Sequence, residues 1–233
     1  MKYFSLDTNL ILALLNNKDR LNKTSLKIIK KETKPCALCK SALREARIVA
    51  RDHIARAVAN SLDIIVDIKD ITDPKKRENE LKRKFDILIK KDVQLKNFYI
   101  FLYDKIISYM TDIGINALPR YLSNLSEHVA RTFEPELKKL VTYSYISIDF
   151  SNNDDVKLLT NIKTHTSSIH YKDTMDYKIF CEMAVNLSED YMIDFYTDDK
   201  EFFKKSKKAF NCLEKNIKYN HSWFTIIHTE ELT

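Results

Sequence analysis

The sequence predicts an α/β protein with a parallel sheet and an all-helical insertion in the middle of the chain. Two observations predict this class. Both ends of the chain alternate short apolar strands with helices, and the apolar residues between those ends recur only at helical spacing. The chain has 233 residues and one glycine, Gly114. That composition argues against glycine-rich phosphate loops and dinucleotide-binding turns, which need backbone conformations that glycine allows.

The first fifty residues are predicted to form a strand, two helices, a strand and a helix. The first strand covers residues 2–6, and helices follow over 9–15 and about 23–31. Pro35 breaks the chain before a second short strand at 36–39. Ser41 is a suitable cap for the next helix, which is expected to begin at Ala42 and to continue past Arg51.

The middle of the chain, from about residue 51 to 142, is predicted to be almost wholly helical. Its Tyr and Phe residues near 98–109 lie at helical spacing, which favours core packing over base stacking. Lysine and arginine also cluster between residues 75 and 91. We expect this basic run on a solvated helix face, with phosphate contact as the alternative.

The rest of the chain returns to α/β character. The pattern predicts a strand, or the approach to one, at 145–150, then helices at 155–164 and 173–187, a strand at 191–196, a helix at 201–213 and a last strand at 223–228. We therefore predict one discontinuous domain, formed by about 1–50 and 143–233. The helical insertion at about 51–142 interrupts it.

Cysteine usage and apolar runs indicate a cytoplasmic protein with no membrane partner. Cys36 and Cys39 form a CxxC, but no second pair with zinc-site spacing accompanies them, so a buried strand with reduced thiols is favoured. The N-terminal residues lack the cleavage site of a secretion signal, and no run of about 18 apolar residues predicts a membrane helix. The net charge of +6 permits a nucleic-acid partner without requiring one.

Four carboxylates occupy positions from which they could converge. Asp7 and Asp199 each follow an apolar strand, Glu45 lies in the first turns of a helix, and Asp176 lies on the apolar face of another. Each alone could be a helix cap or a first-turn acid. Because the carboxyl ends of parallel strands meet at one sheet edge, the four could form one cluster. Such a cluster repels itself unless it binds protons or a cation such as Mg²⁺ or Mn²⁺.

These residues resemble the PIN-domain family, which includes the VapC-type toxin ribonucleases. Residues 5–12 are similar to the opening strand of that family, which leads into Asp-Thr-Asn, and Glu45 stands where its second acid would be. The segment 176–184 resembles the helix with the third acid, and 197–202 (Thr-x-Asp-x-x-Phe) resembles the fourth segment. The second and third acids are farther apart here than in the family, and the insertion accounts for that distance. The third segment also has bulky residues where the family has small ones, so Asp173 is an alternate there.

The resemblance implies a three-layer α/β/α sandwich and a metal-dependent endoribonuclease, either toxin-like or RNA-processing. Asp7, Glu45, Asp176 and Asp199 would be its catalytic acids and would bind Mg²⁺ or Mn²⁺, with Asp173 and Asp198 as alternates. Asn9 and Thr197 would fix these acids by hydrogen bonds. Basic residues close to the acids in the sequence would contact RNA phosphates: Arg44, Arg47, Arg51, Lys172 and Lys200.

The sequence is also compatible with two other functions. One is a structure-specific DNA nuclease, since flap-type nucleases share a related fold. The other is a catalytically silent scaffold that binds a partner protein through the helical insertion. For partners, the resemblance implies an RNA substrate, an antitoxin or other protein, and a homodimer as expectations.

Overall fold

A single parallel sheet organises both ends of the chain. Its strands are β1 (Lys2–Leu6), β2 (Cys36–Cys39), β3 (Tyr143–Ile146), β4 (Met192–Thr197) and β5 (Phe224–His228). In this computed structural model, which describes residues 1–112, 114–217 and 219–232, they lie in the order β3-β2-β1-β4-β5. Each neighbouring pair is parallel. The predicted α/β class is therefore confirmed.

Ten α-helices lie in the connections between the strands within the described residues. They are α1 (Thr8–Leu15), α2 (Asn22–Lys31), α3 (Lys40–Ile68), α4 (Pro74–Lys91), α5 (Lys96–Asp112), α6 (Leu118–Ser123), α7 (Leu125–Leu140), α8 (Asn153–Thr166), α9 (Thr174–Asn186) and α10 (Lys200–Ile217). None of them combines the length and the apolar character needed to cross a bilayer.

The strand order assigns the helices to two faces of the sheet. The connection from β1 to β2 moves in one direction along the sheet, whereas those from β3 to β4 and from β4 to β5 move in the other. Because crossovers between parallel strands are right-handed, the two directions place their helices on opposite faces. In agreement, α1 packs with α2, whereas α8, α9 and α10 pack with one another. The result is a sandwich with helices on both sides of the sheet.

The four residues of β2 are buried, as expected for an apolar strand covered on both faces. Both cysteines of the CxxC lie in this strand with free thiols, so the predicted buried strand is confirmed. Burial raises the pKa of the Cys36 thiol to about 12, and burial also raises that of Cys39 well above its usual range. Thiols of this kind stay protonated and unreactive.

Two of the boundaries that differ from the prediction have a local explanation. Strand β3 covers Tyr143–Ile146 instead of 145–150, because Asp149 accepts hydrogen bonds from the amide and hydroxyl of Ser151 and turns the chain there. Helix α3 begins at Lys40, so Ser41 lies inside its first turn and does not cap it. The Ser41 amide and hydroxyl donate instead to the buried carboxylate of Glu182, at 3.0 and 2.7 Å.

Contacts divide the described chain into two compact units. The first, which holds the sheet, comprises Met1–Leu15, Leu21–Ala46 and Glu136–Thr233, and the second comprises Asn16–Arg20 and Arg47–Pro135. Helices with their own apolar core form the second unit. Within that core Tyr99 is fully buried and meets Phe85 edge to face, with ring centroids 6.4 Å apart. Core packing of the aromatic run is thus confirmed.

The basic run on α4 lies mainly at the surface of the second unit. Arg83 pairs with Glu80 at 2.6 Å, and Lys84 pairs with Asp67 at 2.6 Å. These are the contacts of a solvated helix face, and such exposed pairs contribute little to stability. The predicted solvated helix face is therefore confirmed for residues 75–91.

Candidate metal centre

The strand order reverses between β1 and β4, which lie side by side in the middle of the sheet. In open parallel sheets, the crevice at the carboxyl ends of two such strands is the usual ligand site. Asp7 follows β1 directly, and Thr197 is the last residue of β4. The register pairs Leu6 with Tyr196, so both chains leave the sheet at the same level. The predicted strand-end acids therefore lie at this crevice.

Asp7 is buried, with 7% of its surface exposed. Its Oδ1 accepts a hydrogen bond from the amide of Leu10 at 3.0 Å. Its Oδ2 accepts from the Thr197 hydroxyl and, at 3.3 Å, from the Asp198 amide. Burial outweighs these bonds and raises the Asp7 pKa to about 6. Near neutral pH burial therefore destabilises the ionised form of this carboxylate, and a nearby cation would stabilise it.

Thr197 connects the two strand ends. Its fully buried hydroxyl donates to Asp7 and accepts a hydrogen bond from the Asp199 amide at 3.0 Å. A single side chain thus fixes one acid directly and the backbone of a second. This is the arrangement expected of a residue that positions carboxylates.

Asp199 and Asp198 have different surroundings. Oδ1 of Asp199 accepts from the amides of Glu201 and Phe202, at 2.7 and 2.8 Å, and caps α10. Oδ1 of Asp198 accepts from the Thr229 hydroxyl at 2.5 Å, on the β5 side. Both acids act electrostatically on the crevice, since Asp198 raises the pKa of Asp7 and Asp199 raises that of Asp176.

Glu45 is held by a residue that the sequence analysis did not single out. The Thr8 hydroxyl donates to its Oε2 at 2.5 Å and so joins the start of α1 to α3. Burial, followed by the charge of Asp173, raises the Glu45 pKa. Asn9 is exposed, and no hydrogen bond found among the described residues connects it to an acid. Thr8, not Asn9, has the positioning contact.

Asp176 experiences the charges of the other acids. Its pKa is raised to about 7, first by burial and then by the negative charges of its neighbours. Those neighbours are Asp199, Glu45, Asp173 and Asp7. Asp173 is exposed and caps α9, accepting from the Met175 amide at 2.7 Å. Acids from four segments of the chain are therefore close enough for their charges to act on one another.

The donor set suits a hard divalent cation, because all the atoms offered are carboxylate oxygens. As the side chains stand, no group of three or more His, Cys, Asp or Glu among the described residues is placed to hold a metal ion. Several of the carboxylate oxygens already accept hydrogen bonds. The charges of these acids thus act on one another, and their oxygens suit such an ion. Coordination requires their side chains to turn toward a common point.

The five basic residues predicted to contact phosphate have different surroundings. Arg44 and Lys172 are exposed. Lys200 pairs with Glu230 at 2.8 Å. Arg47 and Arg51 belong to the second unit, where they pair with Glu134 at 3.8 Å and Asp52 at 2.9 Å.

Comparison with family models, with curated proteins and with solved structures yields no match.

Proposed function

We propose that this chain is a divalent-metal-dependent endoribonuclease of the PIN type. The observation that supports this proposal most is the charge environment of Asp176. Burial and the surrounding acids raise its pKa to about 7, at the crevice where the strand order reverses. Carboxylates gathered in this way repel one another, and a bound cation is the usual means by which proteins stabilise such a group.

The acids of the crevice are the groups that would hold Mg²⁺ or Mn²⁺. When bound there, the cation would lower the pKa of a bound water and neutralise charge on the phosphate under attack. The ligands would be Asp7, Glu45, Asp176 and Asp199, with Asp173 and Asp198 as alternates.

The side chains of the protein would orient the acids and move a proton. Thr197 keeps the Asp7 carboxylate in one orientation, and Thr8 does the same for Glu45. A carboxylate oxygen of Asp176 would accept the proton of the attacking water and so act as a general base. The water oxygen then bonds to phosphorus, the bond to one bridging oxygen breaks, and that oxygen takes up a proton from solvent.

The first compact unit would be the catalytic domain, and the helical second unit would be its insertion. A toxin or RNA-processing role, an antitoxin or other protein partner and a homodimer stay predictions of the resemblance, and a cytoplasmic location stays a prediction of the cysteine usage.

The test is cleavage of labelled single-stranded RNA in Mn²⁺. We expect the wild type to cut internal bonds, EDTA to stop the reaction, and Asp7→Asn to slow it by about 100-fold or more. Asp194→Asn is the matched control, because Asp194 is a buried aspartate of β4 whose partners are Lys2 and Lys34, at 2.8 and 2.6 Å. The folded Asp194→Asn variant, as checked by circular dichroism, should cleave RNA as the wild type does.

Equal cleavage by wild type and a folded Asp7→Asn would contradict the proposal. Preferred cutting of a DNA flap would instead indicate a structure-specific DNA nuclease. Absence of cleavage on either substrate, together with no metal binding, would favour a scaffold.

A further inference from the structure

A cleft of about 560 Å³ opens in the first unit beside the start of α3. The start of α9, one side of α8 and the chain after β3 form its other walls. Its volume lies within the range of small-ligand sites, about 300–1,000 Å³. Because each of its lining residues belongs to the sheet-containing unit, the cleft is a feature of that unit alone.

The cleft is strongly basic. Lys40, Arg44, Lys163 and Lys178 line it, whereas the acidic residue in its lining is Glu182. The Glu182 carboxylate is buried and accepts both hydrogen bonds from Ser41. All four cations are exposed, and none of them is in an ion pair within the part of the chain that the structure describes. Their charge is therefore free to act on an anionic ligand.

Aromatic rings accompany these cations. Phe150 lines the cleft with 69% of its surface exposed, the largest exposure of any aromatic side chain among the exposed large apolar residues. Tyr177 also lines it, and its hydroxyl is fixed by a hydrogen bond of 2.8 Å with Thr166. An exposed ring in a cleft lined by cations is the combination by which proteins bind single-stranded nucleic acid, through base stacking and phosphate contacts.

The cleft and the acidic crevice use the same two helices. Arg44 of the cleft precedes Glu45 of the crevice on α3, and Tyr177 of the cleft follows Asp176 on α9. Adjacent residues on a helix point about 100° apart, so the two sites occupy neighbouring faces of α3 and α9. A ligand chain longer than one nucleotide could reach both.

We propose that this cleft binds a nucleotide of a single-stranded nucleic acid next to the bond that is cut. Lys163 and Lys178 contact its phosphates, and a base stacks on Phe150. The inference rests on the proposed function for the identity of the bond, and it adds a nucleotide-binding subsite beside that bond. A base in a duplex is already stacked on both faces and cannot pack on Phe150 without unpairing, so single strands are preferred over duplexes.

The experiment measures binding of a fluorescent single-stranded RNA of about 12 nucleotides by anisotropy, in EDTA so that no cleavage occurs. Wild type is compared with Lys163→Gln/Lys178→Gln and with a control, Lys204→Gln/Lys208→Gln, in exposed residues of α10 outside the cleft. We expect the cleft variant to bind about tenfold more weakly or worse. Its slope of log affinity against log salt should fall by about 0.7 for each phosphate contact removed.

Phe150→Leu tests stacking, because leucine keeps an apolar side chain but has no ring. It should weaken binding by at least about fivefold, and an unlabelled duplex of the same sequence should compete poorly. Equal affinity of the cleft and control variants, no effect of Phe150→Leu, or equal competition by the duplex would each overturn the inference.

The two proposals can fail separately. Mn²⁺ binding by the Lys163→Gln/Lys178→Gln variant should match wild type, since neither lysine belongs to the crevice. Normal metal binding and cleavage without a cleft effect would reject only this inference. Cleft-dependent RNA binding without metal binding or cleavage would reject the nuclease proposal and leave the cleft as a nucleic-acid site.

Discussion

The Thr197 hydroxyl donates a hydrogen bond to Oδ2 of Asp7, a residue 190 positions earlier in the sequence. The bond joins the carboxyl ends of β1 and β4, where the strand order reverses. Because Thr197 also accepts from the Asp199 amide, one hydroxyl sets the relative position of two acids. The geometry of the crevice therefore depends on a side chain that bears no charge.

Replacing Thr197 by valine tests this dependence. The variant keeps the volume of the side chain but removes its hydroxyl. The buried Asp7 carboxylate then loses a donor, and the Asp199 amide loses an acceptor. We expect a loss of about 1–3 kcal/mol in the free energy of unfolding, measured in urea with EDTA. Mn²⁺ affinity, measured by calorimetry, should fall by about 10- to 100-fold. Thr197→Ser should recover most of both. Wild-type affinity in a folded Thr197→Val would show that the bond does not position the acids.

The raised Asp7 pKa predicts an unusual dependence of stability on pH. The Asp7 carboxyl titrates near 3.8 in the unfolded chain and at about 6 in the folded one. Between these two pH values the folded state holds a proton that the unfolded state has lost. The stability that this group contributes is fully present below the lower pKa and is lost as the pH rises through the upper one. We expect metal-free wild type to lose about 3 kcal/mol relative to Asp7→Asn between about pH 4 and pH 8.

Urea denaturation of both proteins in EDTA measures that difference, and the comparison cancels the contributions of groups that do not interact with Asp7. A constant difference across the pH range would mean that Asp7 titrates normally. The opposite slope would mean that its carboxylate form is stabilised by folding.

Proton release should accompany metal binding. Asp7 and Asp176, with pKa values of about 6 and 7, are partly protonated near pH 6.5 and must ionise to bind a cation. Calorimetry in buffers with different ionisation enthalpies should therefore show protons released on Mn²⁺ binding, with the number falling toward zero above about pH 8. Asp176→Asn should reduce the release. Release that does not change with pH would contradict the assignment of these two acids.

The alternate acids can be separated by substitutions that preserve the helix caps. Asparagine caps a helix as well as aspartate does, so Asp199→Asn and Asp173→Asn remove charge but leave the starts of α10 and α9 capped. We expect Asp199→Asn to weaken Mn²⁺ binding more than Asp198→Asn, because the charge of Asp199 acts on Asp176, whereas Asp198 is bonded to Thr229 on the β5 side. Asp176→Asn should likewise weaken it more than Asp173→Asn. The reverse order in either pair would exchange the assignments.

Much of the fold could be predicted, because strand alternation and helix spacing are local signals. Asp7 and Asp199 could be found in the same way, since each directly follows an apolar strand. The pattern did not distinguish Thr8 from Asn9, because the choice depends on how α1 and α3 pack. Nor did it reveal that the buried Glu182 would bind Ser41 at the start of α3. That contact joins residues 141 positions apart.

The basic cleft also was not predicted. Lys163 and Lys178 belong to α8 and α9, and they share a cleft because these two helices pack together. Their distance in the sequence matches no motif. Phe150 was expected to be part of a strand, but the turn at Asp149 places it beyond the end of β3, where it is exposed.

The central claim, that acids from both ends of the chain form one cation site, is tested most directly by Mn²⁺ calorimetry. The proteins to compare are wild type, Asp7→Asn/Asp199→Asn and the control Asp194→Asn, each shown to be folded by circular dichroism. We predict that wild type and the control bind Mn²⁺ with similar affinity and that the double variant loses binding. Equal binding by all three proteins, or no binding by wild type, would contradict the claim.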